Sequence, residues 1–165
     1  MIELPKRKQN RLNGYDYSQN GVYFLTVCVK DKKQILSRIN VGEGSPLPKL
    51  TQYGKAVNGY ILQITEKYPN ISVEKYVIMP NHIHMLVSVY DEHFGTGNPS
   101  PTISNMVGWL KYQTARQINM LRNTPGVSVW QRSFHDHIVR GPKDYEEIRL
   151  YIDENPLRWQ SDCFY

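Results

Sequence analysis

The sequence predicts an α+β protein with one antiparallel sheet and helices packed on a face of it. Three observations lead there. VYFLTVCV (22–29), ISVEKYVIM (71–79) and HIHMLVSV (82–89) have the apolar, β-branched and aromatic make-up of strands. TQYGKAVNGYILQITEKYP (51–69) and TISNMVGWLKYQTARQINML (102–121) carry apolar residues at helical spacing. The two kinds of segment alternate in the order strand, helix, two strands, helix, strand, helix.

Each element has its own signals. VYFLTVCV is apolar throughout, as in a central strand buried on both faces. KDKKQILSRI (30–39) reads as a basic turn followed by a short edge strand, and NVGEGSPLPKL (40–50) as a Gly/Pro loop. The first helix starts at the capping residue Thr51, aligns Val57, Tyr60, Ile61 and Ile64, and stops at Pro69. Residues 71–79 and 82–89 are joined by a tight Pro-Asn link and form an antiparallel pair. The second helix carries Ile103, Met106, Val107 and Leu110 on one stripe. VWQRSFHDHIVR (129–140) mixes turn and strand. A last helix begins at 142 or 143 and ends near Asn155-Pro156. The first six elements give the ferredoxin-like β-α-β-β-α-β arrangement, with an additional C-terminal helix.

The chain has 165 residues, enough for one domain with a real core, so 1–165 is read as one unit with a basic arm at 1–20. Its 40% hydrophobic and 21% charged residues exclude wholesale disorder. The formal charge of +5 favours a polyanionic partner. Cys28 and Cys163 show neither metal nor redox spacing. No segment has the apolar length of a secretion signal or a membrane span, so the expected location is the cytoplasm.

Strand alternation places His82, His84, Leu86 and Ser88 on one face, and Ile83, Met85, Val87 and Val89 on the other. The apolar set belongs under the two long helices. The histidine Cβ atoms would then be roughly 6–7 Å apart on the opposite face, given about 3.3 Å of rise per residue. Two imidazoles at that spacing can converge on one divalent cation, or can be satisfied by hydrogen bonds on a half-exposed face. A second pair, His135 and His137, reads as a further ligand set, a polar DNA-facing edge or plain surface.

In DYEEIRLYIDENP, Tyr145, Ile148 and Ile152 form the core stripe of the last helix. Tyr151 and Asn155 lie four residues apart on an adjacent face, with Glu147 one turn earlier. Taken alone, that pair is packing and a helix cap. Beside a histidine-bound cation, Tyr151 becomes a nucleophile for a phosphodiester and Asn155 a hard oxygen ligand suited to Mg²⁺ or Mn²⁺.

These residues carry a resemblance. MPNHIHMLV resembles the HUH signature (His, bulky hydrophobic, His) of the single-tyrosine transposases. WQRSFHDHIVR…DYEEIRLYIDENP resembles the C-terminal block of REP-associated tyrosine transposases, and RLNGYDYSQNGVYFLTVCV their N-terminal strand. The similarity spans roughly residues 10–160. It implies the HUH nuclease domain, with His82 and His84 as metal ligands and Asn155 as a third ligand or assisting group. Tyr151 would become joined to the 5′ phosphate of cut single-stranded or hairpin DNA. The resemblance allows a homodimer or a monomer, and a non-catalytic nucleic-acid-binding regulator is the alternative.

Tyr112 is a rival nucleophile, but its helix belongs to the covered face. His137 matches a histidine of the family's H-x-x-R block, and it is read with Arg140 as contacting DNA or supporting the site. The remaining DNA contacts are expected from Arg7, Arg11, Lys32, Lys33, Lys111, Arg116 and Arg132. Tyr15, Tyr17 and Trp130 could stack on unpaired bases or belong to the core.

Overall fold

In a computed structural model of the chain, the described residues are 20–40, 47–90 and 102–162. The basic arm with Arg7 and Arg11, together with Tyr15, Tyr17 and Cys163, lies outside them.

Strand β1 (Gly21–Cys28) runs through the middle of a four-stranded sheet. It is flanked by β5 (His82–Val89) and β6 (His135–Ile138), and β4 (Ile71–Ile78) closes the edge beyond β5. Every neighbouring pair is antiparallel. Helix α1 (Gln52–Leu62) precedes β4, and α3 (Ile103–Leu121) precedes β6. The expected β-α-β-β-α-β order and antiparallel sheet are therefore present. Helix α4 (Gly141–Glu154) follows as the additional element.

Two apolar layers hold this together. Tyr23, Leu25 and Val27 of β1 and Ile83, Met85, Val87 and Val89 of β5 bury one sheet face against Val57 and Ile61 of α1 and Met106, Val107 and Leu110 of α3. On the other face Leu86 packs with Ile148 and Ile152 of α4, bordered by Val22, Phe24, Val77, Val139 and Tyr145. The two faces of β5 thus separate as alternation demands. The α4 stripe meets the face that carries the histidines. Lys75 on β4 donates to Asp153 on α4 at 2.6 Å, across an irregularity in β4 between Val73 and Lys75.

The region between β1 and α1 differs from the sequence expectation. Lys30–Lys32 forms a 3-10 turn, and the short strand that follows, β2 (Ser37–Arg38), does not join the main sheet. It pairs with β3 (Lys49–Leu50), taken from the segment expected to be loop. The reason is tertiary. Thr51 caps α1 through Gly54 N (3.2 Å) and directs its hydroxyl at the carbonyls of Ile35 and Leu36 (2.6 and 3.0 Å). A Cβ on Gly54 would stand 2.0 Å from the Leu36 carbonyl oxygen, so the β2 approach requires glycine there. The first expected helix is also divided at Gln63, with α2 (Ile64–Lys67) as its continuation. No helix among the described residues is long and apolar enough to cross a membrane.

Candidate active site

The β5 histidines stand at the start of their strand, covered by Tyr151 of α4 and by Trp159 and Asp162 beyond it. Both are buried, at 0% and 1% exposure, on a strand paired along its full length with β1. The Asn81 side-chain oxygen accepts from Nδ1 of His82 at 2.7 Å, and the Asn81 amide donates to the Lys32 carbonyl at 3.4 Å. Nδ1 of His84 bonds the Thr26 hydroxyl at 2.8 Å, directly across the β1–β5 pairing. With both Nδ1 atoms so occupied, both Nε2 atoms are turned towards the same point, 3.0 Å apart. Two nitrogen lone pairs at that distance repel unless a proton or a cation lies between them.

Burial is the largest influence on both imidazoles. It pushes His82 down to about 4, opposed by the Asp162 carboxylate and the Asn155 side chain. It holds His84 well below the usual histidine range, and His82 beside it pushes the same way. Both rings are therefore neutral at pH 7, the state that ligates metal.

Three further groups close on the pair. Asp162, just after the turn Trp159–Ser161, brings Oδ2 to 3.8 Å from Nε2 of His82. One ligand atom each from His82, His84 and Asp162 lies within 4.8 Å of the others. Asn155 at the end of α4 is 2% exposed and donates through Nδ2 to Asp162 Oδ2 at 3.0 Å. Its Oδ1 is buried with no hydrogen-bond donor among the described residues. That orphaned oxygen, next to two converged nitrogens and a carboxylate, fits a cation. The 3.0 Å between the nitrogens also matches adjacent ligands at about 2.1 Å from a metal. Two imidazole nitrogens with a carboxylate and an amide oxygen form a donor set for a divalent cation.

Tyr151 lies over the same face. Its hydroxyl is 3.5 Å from Nε2 of His84 and its ring meets Phe24 edge-on. Phe24 in turn stacks on His84 with centroids 5.1 Å apart. The phenol oxygen thus reaches the histidine pair from within the same chain.

Of the residues expected to form the site, His82, His84, Asn155 and Tyr151 come together. Asp162, Asn81 and Thr26 were not foreseen. Asn81 was visible only as part of a turn, and Thr26 as one position in an apolar strand. Asp162 lies 80 residues from His82 in sequence and beyond the motif, so no spacing rule points to it. Its position depends on buried Trp159, whose ring is 6.1 Å from that of His82.

The expected DNA-contacting residues scatter. Lys32 and Lys33 are exposed on the turn after β1, and Arg132 and Arg140 are exposed on either side of β6. His137 pairs with Asp144 at 2.9 Å, and the same carboxylate accepts from Arg140 N at 2.8 Å. These two bonds, the backbone one first, pull the Asp144 carboxyl below its ordinary range. His137 therefore pins the start of α4. His135 shares the histidine face of the sheet, opposite Thr26. Arg116 is exposed on α3, across the sheet from His82.

Lys111 is engaged inside the fold. Its ammonium donates to the carbonyls of Gln131 and Ser133 at 2.9 and 2.8 Å, and burial pulls it down to about 8. Lys111→Ala would leave those carbonyls without their donor. The expected result is a loss of about 1–3 kcal/mol in urea unfolding with DNA affinity little changed; a large affinity loss at unchanged stability would contradict it. Trp130 is buried and donates Nε1–H to Thr114 at 2.9 Å, which makes it core and removes it from base stacking. Tyr112 is 65% exposed on α3, on the far side of the sheet from Tyr151.

A ferredoxin-like sheet with paired buried histidines, crossed on their open face by a tyrosine-bearing helix, defines a class of protein that known relatives make specific. Two solved structures share the fold. One is a REP-associated tyrosine transposase bound to a REP hairpin (TM-score 0.63, 20% identity, 90% of this chain and 74% of that one). The other is described as a "putative transposase" from Deinococcus radiodurans (TM-score 0.51, 17% identity, 87% and 95%). Two Haemophilus influenzae proteins are similar in sequence. An uncharacterised one is 29% identical over 96% of this chain and 93% of its own length. A "Putative REP-associated tyrosine transposase" is 26% identical over 87% and 74%. The family model "Transposase IS200 like" matches residues 17–155, and the chain belongs to the IS200-like transposase family.

Proposed function

We propose that the protein is a metal-dependent single-stranded DNA nicking and strand-transfer enzyme, with Tyr151 as nucleophile and hairpin DNA as substrate. The observation that carries this reading is the approach of the Tyr151 hydroxyl to His84, over a histidine pair whose Nε2 atoms converge. Membership of the transposase family supports a DNA substrate. The hairpin bound to a structural relative supports the form of that substrate.

His82, His84, Asp162 and the Asn155 side-chain oxygen would hold a divalent cation. Mg²⁺ or Mn²⁺ bound there would polarise a phosphodiester oxygen and offset its developing charge. Asn81 and Thr26 fix the ring orientations from behind. The Tyr151 oxygen forms a bond to phosphorus as the bond to the 3′ oxygen breaks. The phenol gives up its proton and the released 3′ oxygen gains one. One phosphate ester replaces another, so the 5′-phosphotyrosine keeps the energy needed for rejoining.

Incubation with a labelled hairpin-bearing oligonucleotide and Mn²⁺ should leave a protein–DNA band that survives denaturation. Cleavage with multiple turnover and no such band would instead mean attack by water. DNA binding without cleavage would mean a regulator that does not cut.

A further inference from the structure

Beside the histidine centre, the small β2–β3 sheet opens onto two cavities that share Gln34 and Arg38. The nearer one, about 340 Å³, is bounded by Pro80 and Trp159, the neighbours of the histidine strand and of Asp162. Trp159 also approaches the His82 ring, as described above. The farther one, about 590 Å³, continues past Lys49 and Asn40 to the first turn of α1 at Gln52 and Tyr53. We infer that these cavities form one trough binding the single-stranded DNA that flanks the scissile phosphate, with Arg38 and Lys49 as its phosphate clamps. This rests on the proposed nicking reaction and gives it a strand path.

The charge arrangement carries the inference. Arg38 and Lys49 are exact cross-strand partners, so both side chains leave the same face of a two-stranded sheet. Like charges directly opposite on paired strands repel. Among the described residues neither has an acidic partner and no acidic residue lines either cavity. An anion between the two cations relieves the repulsion. The first turn of α1 adds a positive helix end at the far wall.

The other lining groups suit a nucleic acid strand. Gln34, Asn40, Gln52 and Gln160 offer amides to bases or phosphates, and Tyr53 offers an aromatic surface for stacking. Ser37 lines the nearer cavity, 1% exposed, and its Oγ has no hydrogen-bond partner among the described residues. A phosphate oxygen there would supply one. The trough ends at Trp159, whose ring lies 6.1 Å from that of His82, so a strand lying in it approaches the histidine pair. The sequence predicts a turn, an edge strand and a loop here, and its DNA-contact residues do not include Arg38 or Lys49.

The test measures binding of a fluorescent twelve-residue oligothymidylate in the Tyr151→Phe background, with salt varied. Arg38→Ala with Lys49→Ala should weaken binding at least about tenfold at low salt. It should also lower the slope of log affinity against log salt by about 1.4, at about 0.7 per phosphate contact. A control pair, Arg116→Ala with Lys143→Ala, removes equal charge elsewhere and should leave the slope near that of the parent. Equal losses in both pairs, or none in the first, would overturn the trough. Arg38→Gln with Lys49→Gln repeats the measurement if the alanine pair does not fold. The readout needs no cleavage, so the trough can fail while the tyrosine chemistry stands, and the chemistry can fail while the trough stands.

Discussion

Tyr151→Phe should abolish the denaturation-resistant DNA adduct, by at least about a thousandfold, while leaving the fold intact. A phenyl ring keeps the edge-on contact with Phe24 and the packing beside His84. The one group removed is a hydroxyl whose contact with His84 is 3.5 Å long, so the loss of stability should stay within about 1 kcal/mol. Covalent attack has no such tolerance, because the hydroxyl oxygen is the atom that bonds to phosphorus. Tyr112→Phe is the matched comparison. That side chain is solvent-exposed on α3, beyond the sheet, and its variant should form the adduct at the parent rate. Both proteins would be followed by denaturing gel and by thermal melting. An undiminished adduct in Tyr151→Phe would move the nucleophile elsewhere.

The contrast between these two tyrosines was legible in the sequence because it rests on periodicity. Ile148 and Ile152 had to face a core, which fixed the side of α4 on which Tyr151 stands. Met106, Val107 and Leu110 did the same for α3 and Tyr112. Alternation in β5 likewise separates His82 and His84 from Ile83 and Met85. What periodicity cannot supply is a partner brought in by tertiary packing. Asp162 reaches the site because Trp159 is buried beside His82, and a three-residue turn offers no repeating pattern from which to infer that. The β2–β3 pairing is hidden for a similar reason. Two residues per strand carry almost no propensity signal, and the approach depends on Thr51 and Gly54 of the following helix. Lys111 shows the opposite error. A lysine on a helix reads as solvent-facing charge, yet its long stem can bring the ammonium to carbonyls inside the fold.

Metal binding at the histidine pair should hold from neutral pH down to about pH 4, whereas stability should already fall from about pH 6.5. Both imidazoles are neutral in the folded protein because burial disfavours their charged forms. In the unfolded chain each titrates near 6.5. As pH falls from about 6.5 towards 4, the unfolded chain takes up protons that the folded chain refuses. Stability is therefore fully present above about pH 6.5 and is lost as pH drops towards the folded value of His82, about 4. For His82 the loss is on the order of 3 kcal/mol. His84 adds in the same direction. Mn²⁺ should raise the melting temperature at pH 7.5, since an ion at a hundred times its dissociation constant contributes about 2.7 kcal/mol. That gain should persist near pH 5, where the folded histidines are still neutral, and vanish only as pH falls below about 4, where His82 takes up its proton in the folded chain. Asn81→Ala removes the acceptor that orients His82 without removing a donor atom, and should weaken metal affinity about 10–100-fold. His82→Ala with His84→Ala should remove metal-dependent cleavage and flatten the acid limb of the stability curve. An equally steep acid limb in that double variant would place the responsible protons elsewhere. Metal-dependent cleavage that persisted in it would refute the centre.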